Sequence, residues 1–112
     1  MSEPLAFQIV LPIPYEEAVE KVVAALKAEE FGVLTRIDVK ATLKEKLGED
    51  FRPYVILGAC NPPLAHRALL AEPQVGVMLP CNVTVEQHGD GSLVSVANPR
   101  GMLGFGTLGD NP

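Results

Sequence analysis

Apolar residues recur at helical spacing in the segment that follows Pro14. One side of the helix would be apolar and the other mostly charged, with Tyr15, Ala18, Val19, Val22 and Leu26 set against Glu16, Glu20, Lys27 and Glu30. Pro14 suits the start of a helix, because the missing N–H of proline costs little there. The pattern predicts a first helix that ends at Gly32, which we expect in the left-handed conformation after the cap.

Several other segments have the patterns typical of β-strands. Residues 5–11 are mostly apolar and end at Pro12, and residues 54–59 have no polar interruption, which is typical of a strand buried on both sides. Residues 33–39 alternate, which predicts one face made of Val33, Thr35, Ile37 and Val39. Residues 75–87 are predicted to be extended with a break at Pro80, and residues 93–97 to pair back as a hairpin after the turn at 88–91.

Two shorter helices are predicted between these strands. Val39, Leu43 and Leu47 are four positions apart, with Asp38 as the N-cap and Gly48 at the end, and a third helix follows Asn61 and ends near Glu72. The order β-α-β-α-β-α-β-β predicts a two-layer α+β domain over residues 1–98, with a mixed sheet and the helices on one face. Residues 99–112 are predicted to be a glycine-rich flexible tail.

Composition and charge disfavour several classes of function. The 112 residues, 47% of them hydrophobic, fit one domain with its own core. The net charge is −5, and the densest basic stretch is interrupted by Glu45 and contains no aromatic residue, so we expect no nucleic-acid partner. The longest unbroken apolar stretch has seven residues, whereas a bilayer span needs about 20. With no signal-peptide pattern either, we expect no membrane partner and a cytoplasmic protein with reduced thiols.

The two cysteines lie in similar short segments, Ala59-Cys60-Asn61-Pro62 and Leu79-Pro80-Cys81-Asn82. Cys60 precedes a helix start, where unpaired N–H groups would favour the thiolate. If the two strands are neighbours, both sulfurs can face one pocket. We therefore predict a ligand site made of Cys60, Asn61, Cys81 and Asn82, for a small ligand, a soft metal such as copper(I) or a sulfur species. The alternative is that both cysteines are small buried hydrophobic residues.

Three segments around these cysteines resemble the domain-of-unknown-function 302 family. They are residues 42–48 (TLKEKLG), 57–62 (LGACNP) and 79–83 (LPCNV), and the similarity extends over about residues 5–100. The resemblance implies a small bacterial or archaeal α+β domain, commonly a homodimer, with no established activity. Family members usually continue into an aspartate-proline step and a C-terminal helix. Here the corresponding step is Asn98-Pro99, and a glycine-rich segment follows it.

Metal and dinucleotide sites lack necessary parts in this sequence. A closed zinc site has four ligands, but Cys60 and Cys81 are 21 positions apart with no second ligand nearby, and the spacing of His66, His88 and Met102, which could supplement them, does not indicate a site. The two cysteines are therefore weak metal candidates, and no cofactor is indicated. Residues 104–109 match G-x-G-x-x-G, but only three residues follow, too few for the helix that meets the phosphates.

Three functions remain open. The first is a homodimeric binding module with a thiol-lined pocket. The second is a redox or sulfur-transfer enzyme in which one cysteine attacks and the other resolves the intermediate; it is less favoured because no base or oxyanion donor accompanies either thiol. The third is an interaction domain without a small-molecule site. Helices on one face of a sheet leave the other face to be covered, which predicts a second copy of the chain as partner.

Overall fold

The computed structural model describes residues 5–97 of the chain. In chain order the elements are β1 (Ala6–Leu11), α1 (Tyr15–Ala28), β2 (Gly32–Asp38), α2 (Val39–Leu47), β3 (Tyr54–Cys60), α3 (Pro62–Ala71), a 3-10 helix (Pro73–Met78), β4 (Cys81–His88) and β5 (Gly91–Ala97). The strands form one five-stranded sheet in the order β1-β5-β4-β3-β2. The α+β class is confirmed. The sheet is antiparallel throughout rather than mixed, because α2 and α3 each join two neighbouring strands instead of crossing the sheet.

One face of the sheet, called here the core face, carries the hydrophobic core. The strand register aligns Ile9, Val94, Val85 and Val55 in one row across four strands. Ala18 and Val19 of α1 are buried against this face, together with Val55, Leu57, Val83, Val85 and Val94. The apolar side of α1 predicted from the sequence is therefore the side that meets the sheet.

The opposite face, called here the mixed face, alternates polar and apolar side chains. One row across the five strands consists of Gln8, Ser95, Thr84, Ile56 and Ile37. In the next row lies Glu86, whose Oε1 accepts a hydrogen bond from Nε of Arg52 at 2.9 Å and is 2.8 Å from Nη2 of the same guanidinium. A face of this composition tolerates water, so it does not need the covering layer that the sequence led us to expect.

The helical layer consists chiefly of α1. The second helix contacts β2 and β3, whereas α3 packs mainly against the 3-10 helix. The segment Pro73–Met78 includes residues 75–78, which were predicted to be extended. It is helical because Pro73 occupies its first turn and Glu72 Oε2 accepts a hydrogen bond from the Gln74 N–H at 2.9 Å. No helix in residues 5–97 is long and apolar enough to span a bilayer.

The first helix ends earlier than predicted. Glu30, rather than Gly32, adopts the left-handed conformation, with φ of 68°. The Glu30 N–H donates to the carbonyl oxygen of Lys27 at 2.9 Å and the Phe31 N–H to that of Leu26 at 2.8 Å, which is the Schellman arrangement. Gly32 is thus left as the first residue of β2, opposite Cys60 on β3.

A β-bulge at Leu34 changes which residues of β2 share a face. Val33 pairs with Ala59, and Thr35 pairs with Gly58, so Val33 faces the core while Thr35 and Ile37 lie on the mixed face. The strict alternation predicted for Val33, Thr35 and Ile37 was therefore wrong. The bulge brings Thr35 over Gly58, where a Cβ would overlap Thr35 Oγ1 and lie 2.8 Å from Cγ of Pro80.

We expect Gly58→Ala to destabilise the protein by about 1–3 kcal/mol, because the added methyl group overpacks the space between Thr35 and Pro80. Gly32→Ala is the matched control on the neighbouring strand, since a Cβ at Gly32 has no atom within 4 Å. The second substitution in Gly58→Ala/Thr35→Ala removes Oγ1 and should restore part of the stability. Urea unfolding of the four proteins checks this. Equal destabilisation by the two single glycine substitutions would contradict the packing argument.

The phenol of Tyr15, at the start of α1, should titrate above its ordinary pKa of 10.0, because burial and then the negative charge of Asp38 raise the pKa. The folded state then holds the proton more tightly than the unfolded state, so this stabilisation is present below pH 10 and is lost as the pH rises through the folded-state pKa. Tyr54→Phe leaves Tyr15 as the only tyrosine, and its ultraviolet titration in native and urea-unfolded protein measures the difference. Asp38→Asn keeps the capping oxygen but removes the charge, and should lower the native pKa. Identical native and unfolded midpoints would refute the shift.

Candidate functional site

Cys60 and Asn82 lie on the mixed face, near the end of β3 that leads into α3 and the start of β4. Asn82 pairs with Gly58, and Cys60 follows two residues after Gly58 on the same strand. Because side chains alternate along a strand and paired residues point to the same side, Cys60 and Asn82 share a face. Cys60 is half-buried and Asn82 is exposed. The structure thus brings these two predicted site residues together.

Cys81 belongs to the opposite face. It pairs with Ala59, which is buried in the core face, and Ala59 immediately precedes Cys60. The side chains of Cys60 and Cys81 therefore point to opposite sides of the sheet, although their strands are neighbours as the sequence analysis required. Cys81 itself is exposed at the start of β4. This register does not form a pocket lined by both thiols of one chain.

Asn61 has a structural role as the N-cap of α3. Its Oδ1 accepts a hydrogen bond from the Leu64 N–H at 3.1 Å, as predicted from the sequence. The next two residues, Pro62 and Pro63, have no N–H group, and the Ala65 N–H donates to the Asn61 carbonyl oxygen at 2.9 Å. The first turn of α3 therefore offers no free donor to a thiolate, and the expected activation of Cys60 by a helix start is wrong. What Asn61 can present to a ligand is its side-chain amide N–H₂ group.

Open space adjoins Cys60 on the side of β2. Gly32 is its cross-strand partner, and a Cβ built on Gly32 would find no atom within 4 Å. At Gly58, the next position of β3 on the same face, the side chains of Thr35 and Pro80 cover the backbone. Gly32, Thr35 and Asn82 are exposed, so this space is open to solvent. We call the space bordered by Gly32, Cys60, Thr35, Pro80 and Asn82 the Cys60 hollow.

Sequence reasoning missed Gly32, Thr35 and Pro80 as parts of this site. A glycine inside a strand pattern signals a bulge or a close approach, and Gly58 carries that signal in the sequence. The residues that approach it come from β2 and from the turn before β4, and only the strand pairing reveals them.

The remaining candidate residues do not form a site. His66 on α3 and His88 at the end of β4 are exposed, and residues 5–97 contain no group of three His, Cys, Asp or Glu side chains able to hold a metal ion. Met102 and the glycine pattern at 104–109 lie outside the described residues. A shallow depression lined by Glu16, Glu17, Glu20, Lys21 and Ala24 lies on the outer side of α1, where charged side chains meet solvent.

Two comparisons bear on the identity of the chain. The sequence profile described as "Domain of unknown function DUF302" matches residues 7–112. The crystal structure of an uncharacterized conserved DUF302 protein from Bacillus stearothermophilus is similar, with a TM-score of 0.86 and 32% sequence identity over 98% of this chain and 84% of that chain. No curated protein matches the chain. The resemblance seen in the segments around the two cysteines is therefore confirmed, and the chain belongs to the DUF302 family of unknown function.

Proposed function

We propose that this chain is a homodimeric binding module that holds a small soft ligand at the Cys60 hollow. The observation that carries the proposal is the open space beside a half-buried thiol, where Gly32 leaves room and Cys60 supplies a soft sulfur ligand. Sulfur ligands of this kind favour copper(I) and similar soft metals. A cytoplasmic location, which would keep the thiol reduced, stays a prediction.

Polar groups border the hollow and would orient what it holds. Asn82 and Thr35 lie on the same face as Cys60, and each has a side chain that can donate or accept a hydrogen bond. The amide N–H₂ group of Asn61 lies at the same end of β3. A few polar groups around a softer surface are typical of small-ligand sites.

Charge favours a cation over an anion as the ligand. The chain has a net charge of −5, and the start of α3 has no free N–H donors for an anion. The summed field of such a chain attracts cations. Among the ligands predicted from the sequence, a soft metal cation therefore fits better than an anionic sulfur species.

The register gives no support to the thiol-exchange enzyme. An attacking and a resolving cysteine must come within disulfide geometry, and cysteines whose Cβ atoms point apart cannot be bridged without backbone movement. The Cβ atoms of Cys60 and Cys81 point apart in this way, because Cys60 follows Ala59 on β3 whereas Cys81 is the cross-strand partner of Ala59. The interaction domain is the second candidate, and the exposed apolar residues of β1 favour it.

Cu(I), titrated in competition with a chromophoric chelator, tests the ligand site. We expect Cys60→Ser to weaken binding about tenfold or more, which corresponds to about 1.4 kcal/mol, because it removes the sulfur ligand. Gly32→Val should also weaken binding, since it fills the space beside Cys60 without changing a thiol, and its Cβ has no atom within 4 Å. Cys81→Ser, which alters the other face, is the matched control and should leave the affinity unchanged.

Two results would refute the ligand site. One is Cu(I) affinity that is the same in wild type and Cys60→Ser. The other is Cu(I) affinity that falls with Cys81→Ser but not with Gly32→Val. Labelling of the native protein with iodoacetamide gives an independent measure, because a thiol beside open space should react before unfolding. A Cys60 thiol that reacts only in urea would show that the hollow is closed.

A further inference from the structure

We infer that β1 is the interface of the homodimer: β1 of one chain pairs antiparallel with β1 of a second copy, so that two five-stranded sheets join edge to edge. The inference rests on the homodimer of the proposed function and names the surface that forms it. Four observations carry it: the position of β1 in the sheet, its lack of charge, its exposed apolar side chains, and the composition of the segment beyond β5.

β1 is an edge strand with a free side. It pairs with β5 on one side, and no strand among residues 5–97 pairs with the other. The backbone N–H and C=O groups on that side form a template for another strand. Proteins usually protect such edges with charges, prolines or bulges within the strand. β2, the edge at the opposite end, has Arg36, Asp38 and the bulge at Leu34, whereas β1 has no charged residue and an unbroken register.

Large apolar side chains of β1 are exposed on both faces. Phe7 and Ile9 are each 58% exposed on the core face beyond the cover of α1, and Val10 is 56% exposed on the mixed face. A two-fold axis through Gln8 would set Phe7 of each chain opposite Ile9 of the other. Such aromatic and β-branched cross-strand pairs are among those that stabilise antiparallel strands.

The distribution of charge also selects this edge for contact between copies. Two chains of net charge −5 repel each other, so they meet most easily where neither has charge nearby. Residues 5–13 contain no charged side chain, whereas the outer side of α1 has Glu16, Glu17 and Glu20. The mixed face is less suited to a contact between copies, because Gln8, Thr84 and Glu86 lie along it.

A second copy fits the edge better than residues 98–112 do. This segment contains four glycines and two prolines among its fifteen residues, and both residue types are depleted in strands. β1 instead contains Phe7, Ile9 and Val10, which are strand formers. A six-residue strand pair buries less surface than a standard interface of about 1,600 Å². The dimer should therefore dissociate on dilution.

Light scattering with size exclusion, over a range of concentrations, tests the interface with two variants of the full chain. Ile9→Lys puts a charge on β1, and Ile37→Lys puts the same charge on β2 at a position that is 46% exposed. We expect wild type and Ile37→Lys to reach twice the 12.0 kDa chain mass at high concentration. Ile9→Lys should keep the mass of one chain throughout, since a lysine ammonium on an edge blocks strand addition.

Three outcomes would overturn the inference. A wild type that stays a single chain at every concentration would show that no dimer forms. An Ile37→Lys variant that dissociates would place the interface on the mixed face or on β2. An Ile9→Lys variant that still dimerises would place the interface elsewhere.

Hydrogen exchange on the wild type keeps the test decisive should Ile9→Lys fail to fold. The β1 amides should become more protected as the protein concentration rises. Protection independent of concentration would mean that the same chain covers the edge, and would overturn the inference. The Cu(I) titration reports separately on the Cys60 hollow. If Ile9→Lys is monomeric and binds Cu(I) with the wild-type affinity, both proposals are supported. If the wild type dimerises through β1 but does not bind Cu(I), only the ligand site is contradicted.

Discussion

The packing of α1 against the core face is the contact on which the rest of the structure depends. Ala18 and Val19 meet a surface made of Val55, Val85 and Val94, which only one strand register brings together. A shift of one residue would turn these valines to the mixed face and bring Thr84 and Ile56 to α1. The register is therefore fixed by the core, and every position along β3 and β4 is assigned to one face with it.

The separation of the two thiols follows from that register rather than from the loops that contain them. Cys81 takes the side of Val83 and Val85 because it lies on the same strand at even spacing. Cys60 takes the other side because it follows Ala59, which is buried on the core face. Bringing both sulfurs to one side would cost the burial of the valine rows. A site that uses one cysteine is thus compatible with the core, and a site that uses both is not.

Local chemistry and the β4–β5 hairpin were predicted well from the sequence, and the pairing of β3 with β2 and β4 was not. Asp38 and Asn61 cap α2 and α3 as expected, because a cap depends on residues within three positions of it. The bulge at Leu34 depends on the fit of β2 to β3, where Thr35 meets Gly58, and the alternation of β2 alone contains no sign of it. Likewise, the assignment of Cys60 and Cys81 to opposite faces depends on the pairing of Ala59 with Cys81, which the sequence alone does not give. Pro62 and Pro63, which remove the free donors at the start of α3, were visible in the sequence from the outset.

The proposed ligand site and the proposed dimer interface use different parts of one sheet, and this has a thermodynamic consequence. The hollow lies on β2, β3 and β4, whereas the interface lies on β1, with β5 and β4 between β1 and β3. With neighbouring strands about 4.8 Å apart, the Cys60 backbone lies roughly 14 Å from β1. Coupling between two sites requires an element that both ligands bias between two arrangements. The strands between the two sites, β4 and β5, are held in a single packed arrangement by Val83, Val85 and Val94 of the buried core. Dimerisation and ligand binding should therefore be independent, with each hollow of a dimer filling as it does in a single chain.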